Sequence, residues 1–112
     1  ENDDWDRELF KATLVFKTEE EAEKQLRKQQ ATIRVIKEIA RLNEGWLPNW
    51  EDSSEQKYLM CSGVIYNEKK VLVDYVIHYK VLDNNLYLKS EGLAQQLIAT
   101  HEQDLKRMLE VE

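Results

Sequence analysis

Hydrophobic and polar positions along the chain form one pattern that occurs twice. Residues 14–22 consist of an apolar run, a lysine, a hydroxyl residue, glutamates and the first residues of a helical segment, and residues 86–94 repeat this order with a single glutamate. A hydroxyl residue just before a helix accepts a hydrogen bond from a backbone N–H of the first turn. Each copy therefore predicts a short strand that leads into a helix, with Thr18 and Ser90 as the N-caps.

The first of these helices is predicted from Thr18 to about Leu42. Glu21 follows Thr18 by three residues and completes a capping box, and Gly45 suits the left-handed position just after a helix end. The apolar residues of this helix cover an arc of roughly 200°, which is wider than one sheet contact needs. We therefore expect the helix to contact both a sheet and the second helix. The arc comprises Ala22, Leu26, Ile33, Val35, Ile36, Ile39, Ala40 and Leu42.

Two longer strands are predicted after a polar loop that begins at Gly45. Residues 57–66 and 71–79 are rich in β-branched and aromatic side chains, and residues 67–70 have the composition of a hairpin turn between them. A turn of this length pairs Tyr66 with Val71. Four tyrosines then share the apolar face of the hairpin, which we interpret as its core side. They are Tyr58, Tyr66, Tyr75 and Tyr79.

The elements together predict an α+β fold. A strand at 12–16, a helix, the two hairpin strands, a short strand at 86–88 and a final helix give an antiparallel sheet with both helices packed on one face. Residues 1–10 carry five acids against one base and form an acidic N-terminal segment, while residues 11–112 form a single α+β domain.

Composition narrows the class of protein. Hydrophobic residues make up 42% of the chain and charged residues 34%, which is typical of a folded globular protein. The net charge of −6 disfavours a general nucleic-acid binder, because phosphate repels it. No apolar run is long enough for a membrane span, and the acidic N-terminus does not resemble a signal peptide. A lone Cys61 suits a reducing compartment, so we expect a cytoplasmic protein.

Cys61, Asp74 and His78 are the nearest approach to a catalytic group. With Tyr66 paired to Val71, all three lie on one sheet face, where a Cys–His–Asp relay requires them to be adjacent. Such relays sit beside an oxyanion site, and no such site is visible in the sequence, so ordinary polar residues on a half-exposed face explain them better. Glycine-rich phosphate loops and zinc-ligand spacings are also missing from the sequence. We expect no enzyme activity, no cofactor and no metal.

Three surfaces are candidates for binding a partner. Trp46 and Trp50 bracket Pro48, either as exposed anchors or as a plug that closes the core after the first helix; we favour the plug. Trp5 lies in the acidic segment, which has the character of a docking peptide. A basic stripe on the first helix could grip phosphate or an acidic partner, although solvated helix faces often have this composition. The stripe consists of Arg27, Arg34, Lys37 and Arg41.

Several of these segments also resemble a known group of proteins. Phe16-Lys17-Thr18-Glu19-Glu20-Glu21-Ala22, Gly45-Trp46-Leu47-Pro48-Asn49-Trp50, Lys57-Tyr58, and Leu88-Lys89-Ser90-Glu91 with Ala94 occur in an order that resembles small uncharacterised proteins of bacteriophages and prophages, over residues 14–98. The resemblance implies the cytoplasm of a bacterial host cell, where small phage proteins often bind host enzymes, including defence systems.

The function that we expect is therefore that of a non-enzymatic phage or mobile-element accessory protein acting by protein–protein interaction, with inhibition of a host defence enzyme complex as its most specific form. The alternative is a nucleic-acid-binding accessory protein that uses the basic face of the first helix. A small cysteine-dependent enzyme is a third hypothesis. A homodimer formed through an open sheet edge is compatible with each.

Overall fold

The computed structural model describes residues 18–111, so the predicted strand at 12–16 and the acidic segment at 1–10 lie outside the described residues. Over these residues the architecture is α+β, with two α-helices and one two-stranded antiparallel sheet. The elements in chain order are α1 (Glu19–Asn43), β1 (Lys57–Ile65), β2 (Glu68–Val76), a short 3-10 helix (Asn84–Leu86) and α2 (Glu91–Met108).

Both helices begin where their hydroxyl caps predict. The Thr18 Oγ1 accepts a hydrogen bond from the backbone N–H of Glu21 at 3.0 Å, and the Ser90 Oγ accepts one from Leu93 at 3.2 Å. Each cap satisfies a backbone donor that has no partner within the helix. At its other end α1 stops at Asn43, and Glu44 and Gly45 both take left-handed backbone, with φ of 50° and 88°. The chain thereby turns sharply away from the helix axis.

The hairpin has a different register from the one that the sequence suggested. The strands pair from Lys57 with Val76 to Ile65 with Glu68, so the turn contains only two residues. These are Tyr66 and Asn67, with φ of 52° and 65°. Two successive left-handed residues are characteristic of a type I′ turn, whose twist matches that of the flanking strands. The predicted Tyr66–Val71 pair is therefore wrong, and residues 68–70 belong to β2.

The predicted strand at 86–88 is also replaced by another structure. Asn84–Leu86 forms the 3-10 helix, and only Leu88 pairs with the sheet, through an isolated antiparallel bridge to Tyr58. Two backbone hydrogen bonds, of 3.0 and 2.8 Å, make this bridge. The Asp-Asn-Asn sequence before it favours a turn, and Ser90 already caps α2, which leaves no room for a longer strand. The described sheet therefore does not match the predicted four strands.

The core lies between α2, the hairpin and the C-terminal half of α1. α2 contacts both strands, whereas α1 packs mainly along α2. The apolar arc predicted on α1 is too wide, because Leu26 and Ile33 remain 53% and 52% exposed. Only the side of α1 that meets α2 and the core is covered. The buried cluster consists of Val35, Ile39, Leu42, Met60, Leu88, Ala94, Leu97 and Leu105.

A buried asparagine joins the end of α1 to the segment before α2. The Asn43 side chain is 5% exposed; its Nδ2 donates to the carbonyl of Tyr87 at 2.8 Å, and its Oδ1 accepts from the N–H of Lys89 at 3.2 Å. The amide thus satisfies one backbone acceptor and one donor in a place that water does not reach. This contact fixes where α2 starts relative to where α1 ends.

The hairpin turn provides a test of the observed register. Tyr66 is 94% exposed yet adopts a left-handed conformation, which is costly for an aromatic residue. Replacing the pair by Asn-Gly (Tyr66→Asn with Asn67→Gly) supplies the sequence that type I′ turns prefer. We expect the free energy of unfolding to rise by about 1 kcal/mol, measured by urea denaturation.

Tyr79→Asn is the matched control for this change, because Tyr79 is also exposed but lies outside the turn. It should leave the stability nearly unchanged. A destabilised Asn-Gly variant would contradict the two-residue turn, since a four-residue turn places no left-handed requirement on Tyr66.

Candidate interaction surface around residues 45–57

The loop that follows α1 is organised around a buried ammonium group. The Lys57 side chain is fully buried, and its Nζ donates to the carbonyls of Glu55 at 3.0 Å, Ile77 at 3.1 Å and Asp52 at 3.3 Å. The Glu55 carboxylate lies 3.4 Å away and balances the charge. A buried ammonium group is tolerated only with such partners. Here it joins the loop, the start of β1 and the residue just after β2.

The two tryptophans of the loop are held by the same group of residues. The Trp50 ring centroid lies 5.0 Å from the Lys57 Nζ, a cation–π contact, and 5.1 Å from the Tyr87 ring in an edge-to-face arrangement. Its Nε1 donates to the Asn84 Oδ1 at 2.9 Å. Trp46 donates to the Glu55 carboxylate at 3.2 Å. Both indoles are half-buried and both N–H groups are used internally.

These contacts correspond to the plug interpretation of Trp46 and Trp50. Pro48 between them is buried, and the backbone N–H of Asn49 donates to Glu55 at 2.8 Å, so the carboxylate that faces Lys57 also shapes the loop. Trp5, the third tryptophan suggested for partner binding, lies outside the described residues.

Leu47 is an exposed apolar side chain of this loop that the sequence pattern did not single out. Leu47 is 67% exposed and borders a groove of about 300 Å³. The floor is mostly apolar, and the two amides of Asn84 and Asn85 lie at its edge. Leu47 lies in an irregular loop, so no periodic pattern of apolar residues distinguishes it. Its position between Trp46 and Trp50 was the only feature of the sequence that could have pointed to it. The lining consists of Ile39, Ala40, Asn43, Gly45, Trp46, Leu47, Asn84 and Asn85.

The basic stripe on α1 is largely paired with acids. The Arg34 guanidinium makes a bidentate ion pair with Asp104 on α2, in which Nε and Nη2 donate to the two carboxylate oxygens at 3.0 and 2.8 Å. Arg41 does the same with Glu38 on its own helix, at 2.8 and 2.6 Å, and Arg27 lies 3.9 Å from Glu23.

These contacts have electrostatic consequences. The hydrogen bond from Arg34 holds the pKa of Asp104 below its usual range, and that from Arg41 does so for Glu38. Lys37 is exposed on the same helix. The stripe therefore offers much less uncompensated positive charge than its sequence indicates.

The suggested catalytic group is not assembled. Cys61 faces Leu72 and Asp74 faces Leu59, while His78 lies beyond the end of β2. Burial raises the pKa of the Cys61 thiol, and the negative charge of Asp74 raises it further. A nucleophilic cysteine requires the opposite shift. The prediction that placed all three side chains on one sheet face fails for His78, because β2 ends at Val76, whereas Cys61 and Asp74 remain on one face as diagonal neighbours.

The four tyrosines of the predicted hairpin face do not all lie on that face. Tyr58 and Tyr75 face each other across the strands with ring centroids 6.1 Å apart, and Tyr58 packs against the core. Tyr66 belongs to the turn and Tyr79 lies after β2, both largely exposed. The core-side interpretation therefore holds for Tyr58, whereas Tyr66 and Tyr79 are not on the face that we assigned to them.

Two further features concern residues 18–111 only. In this range no cluster of three or more His, Cys, Asp or Glu residues has the geometry to hold a metal ion. Neither α1 nor α2 combines the length and the apolar character needed to cross a bilayer.

Comparison with known proteins gave no match to any protein-family model, curated protein or solved structure.

The environment of Cys61 provides a test of the cysteine-enzyme hypothesis. Because burial and Asp74 both disfavour the thiolate, we expect the folded protein at pH 8 to react with a thiol reagent about tenfold more slowly, or slower still, than the chain unfolded in guanidinium. Asp74→Asn should increase the folded-state rate modestly. A folded protein that reacts faster than the unfolded chain would contradict this account and revive the enzyme hypothesis.

Proposed function

We propose that this protein is a non-enzymatic accessory protein that acts by binding another protein. The observation that carries the proposal is Leu47, a leucine that is two-thirds exposed and stands beside an apolar groove on a rigid loop. An isolated exposed leucine needs no explanation. An exposed leucine beside a groove is different, because the leucine can insert into a partner while the groove accepts one of the partner's large side chains.

The rigidity of the loop matters for affinity. Glu55 accepts hydrogen bonds from Trp46 and from the backbone of Asn49, on either side of Leu47, and its own position is set by Lys57. A loop that is already ordered loses little conformational entropy when a partner binds. The structure therefore favours a surface that is ready for binding before the partner arrives.

The charge around the groove indicates what kind of partner would fit. Glu44 and Asp83 are exposed and adjoin groove-lining residues in the chain, and the protein as a whole carries a net charge of −6. Charge complementarity steers association and selects partners. The proposed partner surface is thus an apolar side chain surrounded by basic residues.

The biological setting that we propose rests on the resemblance to phage and prophage proteins. In this setting the protein acts in the cytoplasm of a bacterial host cell and blocks a host enzyme complex, such as a defence system. A basic region on a nuclease or another nucleic-acid-processing enzyme has the charge that the groove requires. Blocking such a region needs no catalytic group on the inhibitor.

Nucleic-acid binding through α1 is the less favoured alternative. It needs several uncompensated cations on one face, but the carboxylates of Asp104 and Glu38 already occupy Arg34 and Arg41. Lys37 alone provides little affinity for phosphate.

The proposal predicts that Leu47→Asp weakens binding without unfolding the protein. Affinity capture from bacterial lysate, with and without nuclease, supplies the candidate partner, which is then purified and titrated against the variants. We expect Leu47→Asp to weaken binding at least about tenfold, because it places a charge in an apolar contact. Circular dichroism should show an unchanged fold.

Leu26→Asp is the matched control, since Leu26 is 53% exposed on α1 and undergoes the same chemical change away from the groove. It should bind like the wild type. Equal affinity of Leu47→Asp and wild type would contradict the proposal, and capture that disappears with nuclease would favour the nucleic-acid alternative.

A further inference from the structure

In the described part of the chain, the outer edge of β2 has backbone groups that point away from β1 and pair with no other strand. Tyr58 directs its N–H and C=O toward Leu88, so its partner Tyr75 directs its own groups to the opposite side of the hairpin. Alternate residues of a strand point the same way, so Lys69, Val71 and Val73 share this direction. Within residues 18–111 no strand pairs with this edge.

One of these outward groups has a side-chain partner. The N–H of Tyr75 donates to the side chain of its neighbour Asp74, at 2.7 Å. A short side-chain contact of this kind satisfies an edge donor in the single chain. Open strand edges of this type are ready templates for a further strand.

We propose that β2 pairs with β2 of a second copy of this chain, antiparallel, about a two-fold axis at Leu72. The argument comes from the order of residues along β2. In this register Lys70 lies opposite Asp74 of the second copy, and by symmetry Asp74 lies opposite Lys70. Two-fold interfaces require such self-complementarity.

The backbone allows only a few symmetric registers. Outward-pointing residues must pair with outward-pointing residues, so the axis passes through a residue and not between two. With the axis at Leu72, Val71 pairs with Val73 and Lys69 with Tyr75, which brings all four outward residues into hydrogen-bonded pairs.

The neighbouring registers have less favourable charge pairs between the two copies. An axis at Val71 places Glu68 opposite Asp74 of the second copy, and both residues are acidic. An axis at Lys70 places Lys70 of one copy opposite Lys70 of the other. An axis at Val73 places Leu72 opposite Asp74 of the second copy, and Lys70 then has no acidic residue opposite it. Like charges directly opposite each other destabilise a strand pair, and opposite charges stabilise it. Among these four axes, only the one at Leu72 gives two pairs of opposite charge.

The side chains of this register fit their surroundings. Lys70 and Asp74 form non-hydrogen-bonded pairs, in which side chains approach most closely, and both are exposed in the single chain. The Leu72 side chain packs over Gly63 of β1 and so turns away from the outer edge. Val71 and Val73 pack against the core and would extend it across the two copies.

This inference is independent of the proposed function, because β2 shares no residue with the Leu47 groove. A dimer of this type presents two grooves, which increases the avidity for a partner that carries two binding sites.

Sedimentation velocity of the full chain tests the proposal, over concentrations from roughly 1 μM to roughly 1 mM, the range in which small interfaces dissociate. We expect the mass to rise from 13.3 kDa toward twice that value. Lys70→Asp should weaken dimerisation at least about tenfold, since it opposes two acids at two symmetric positions. The double variant Lys70→Asp with Asp74→Lys restores opposite charges and should return to within a few-fold of wild type.

Lys37→Asp is the control, because it makes the same change of charge on α1 and should leave dimerisation unaltered. Amide hydrogen exchange locates the interface: the N–H groups of Val71 and Val73 should become protected as the dimer forms. A monomer at every concentration would overturn the proposal. So would a dimer that Lys70→Asp does not weaken, that the double variant does not restore, or that leaves Val71 and Val73 unprotected.

Discussion

The buried ammonium group of Lys57 is the interaction on which the rest of this structure depends. The sheet described in residues 18–111 has only two strands and provides little stability by itself. The Lys57 Nζ adds hydrogen bonds to two carbonyls of the preceding loop, Asp52 and Glu55, and to that of Ile77, just after β2. Glu55 balances its charge and Trp50 covers it. Desolvation makes an ammonium group costly to bury, so this arrangement is stable only while every partner stays in place. The loop, the strands and the indole rings therefore order one another.

The same constraint connects the fold to the proposed binding surface. Because Glu55 faces Lys57, its carboxylate is held where it accepts hydrogen bonds from Trp46 and Asn49, and Leu47 between them projects outward. On α1, Arg34 forms an ion pair with Asp104 that joins the two helices, and Arg41 forms one with Glu38 within its own helix. Polar groups in this protein mainly fix its shape. Over residues 18–111, exposed apolar side chains and the outer edge of β2, with which no described strand pairs, carry the proposed contacts with other molecules.

Local signals in the sequence predicted the parts of the fold that local interactions decide. Thr18 and Ser90 act within three residues of themselves, and both helices start where they indicate. The hairpin register depended on a turn in which Tyr66 adopts a conformation that tyrosine rarely takes, so composition pointed to a longer turn. Lys57 at the start of a strand is ordinary in sequence, and the partners of Arg34 and Arg41 are visible only once the helices are placed. For the proposed binding surface, the sequence pointed to the same loop, but the exposure of Leu47 and the internal hydrogen bonds of Trp46 and Trp50 are visible only in the folded chain.

The most direct measurement is the free energy of unfolding of Lys57→Met, with amide exchange of the loop in the same variant. Methionine keeps the approximate length of the side chain but leaves three carbonyls without this donor and the Glu55 carboxylate without its opposite charge. We predict a loss of about 2–4 kcal/mol and faster exchange of loop amides, among them the N–H of Asn49. Lys80→Met, on an exposed lysine, should change neither. A Lys57→Met protein as stable as the wild type, with an equally protected loop, would contradict the account.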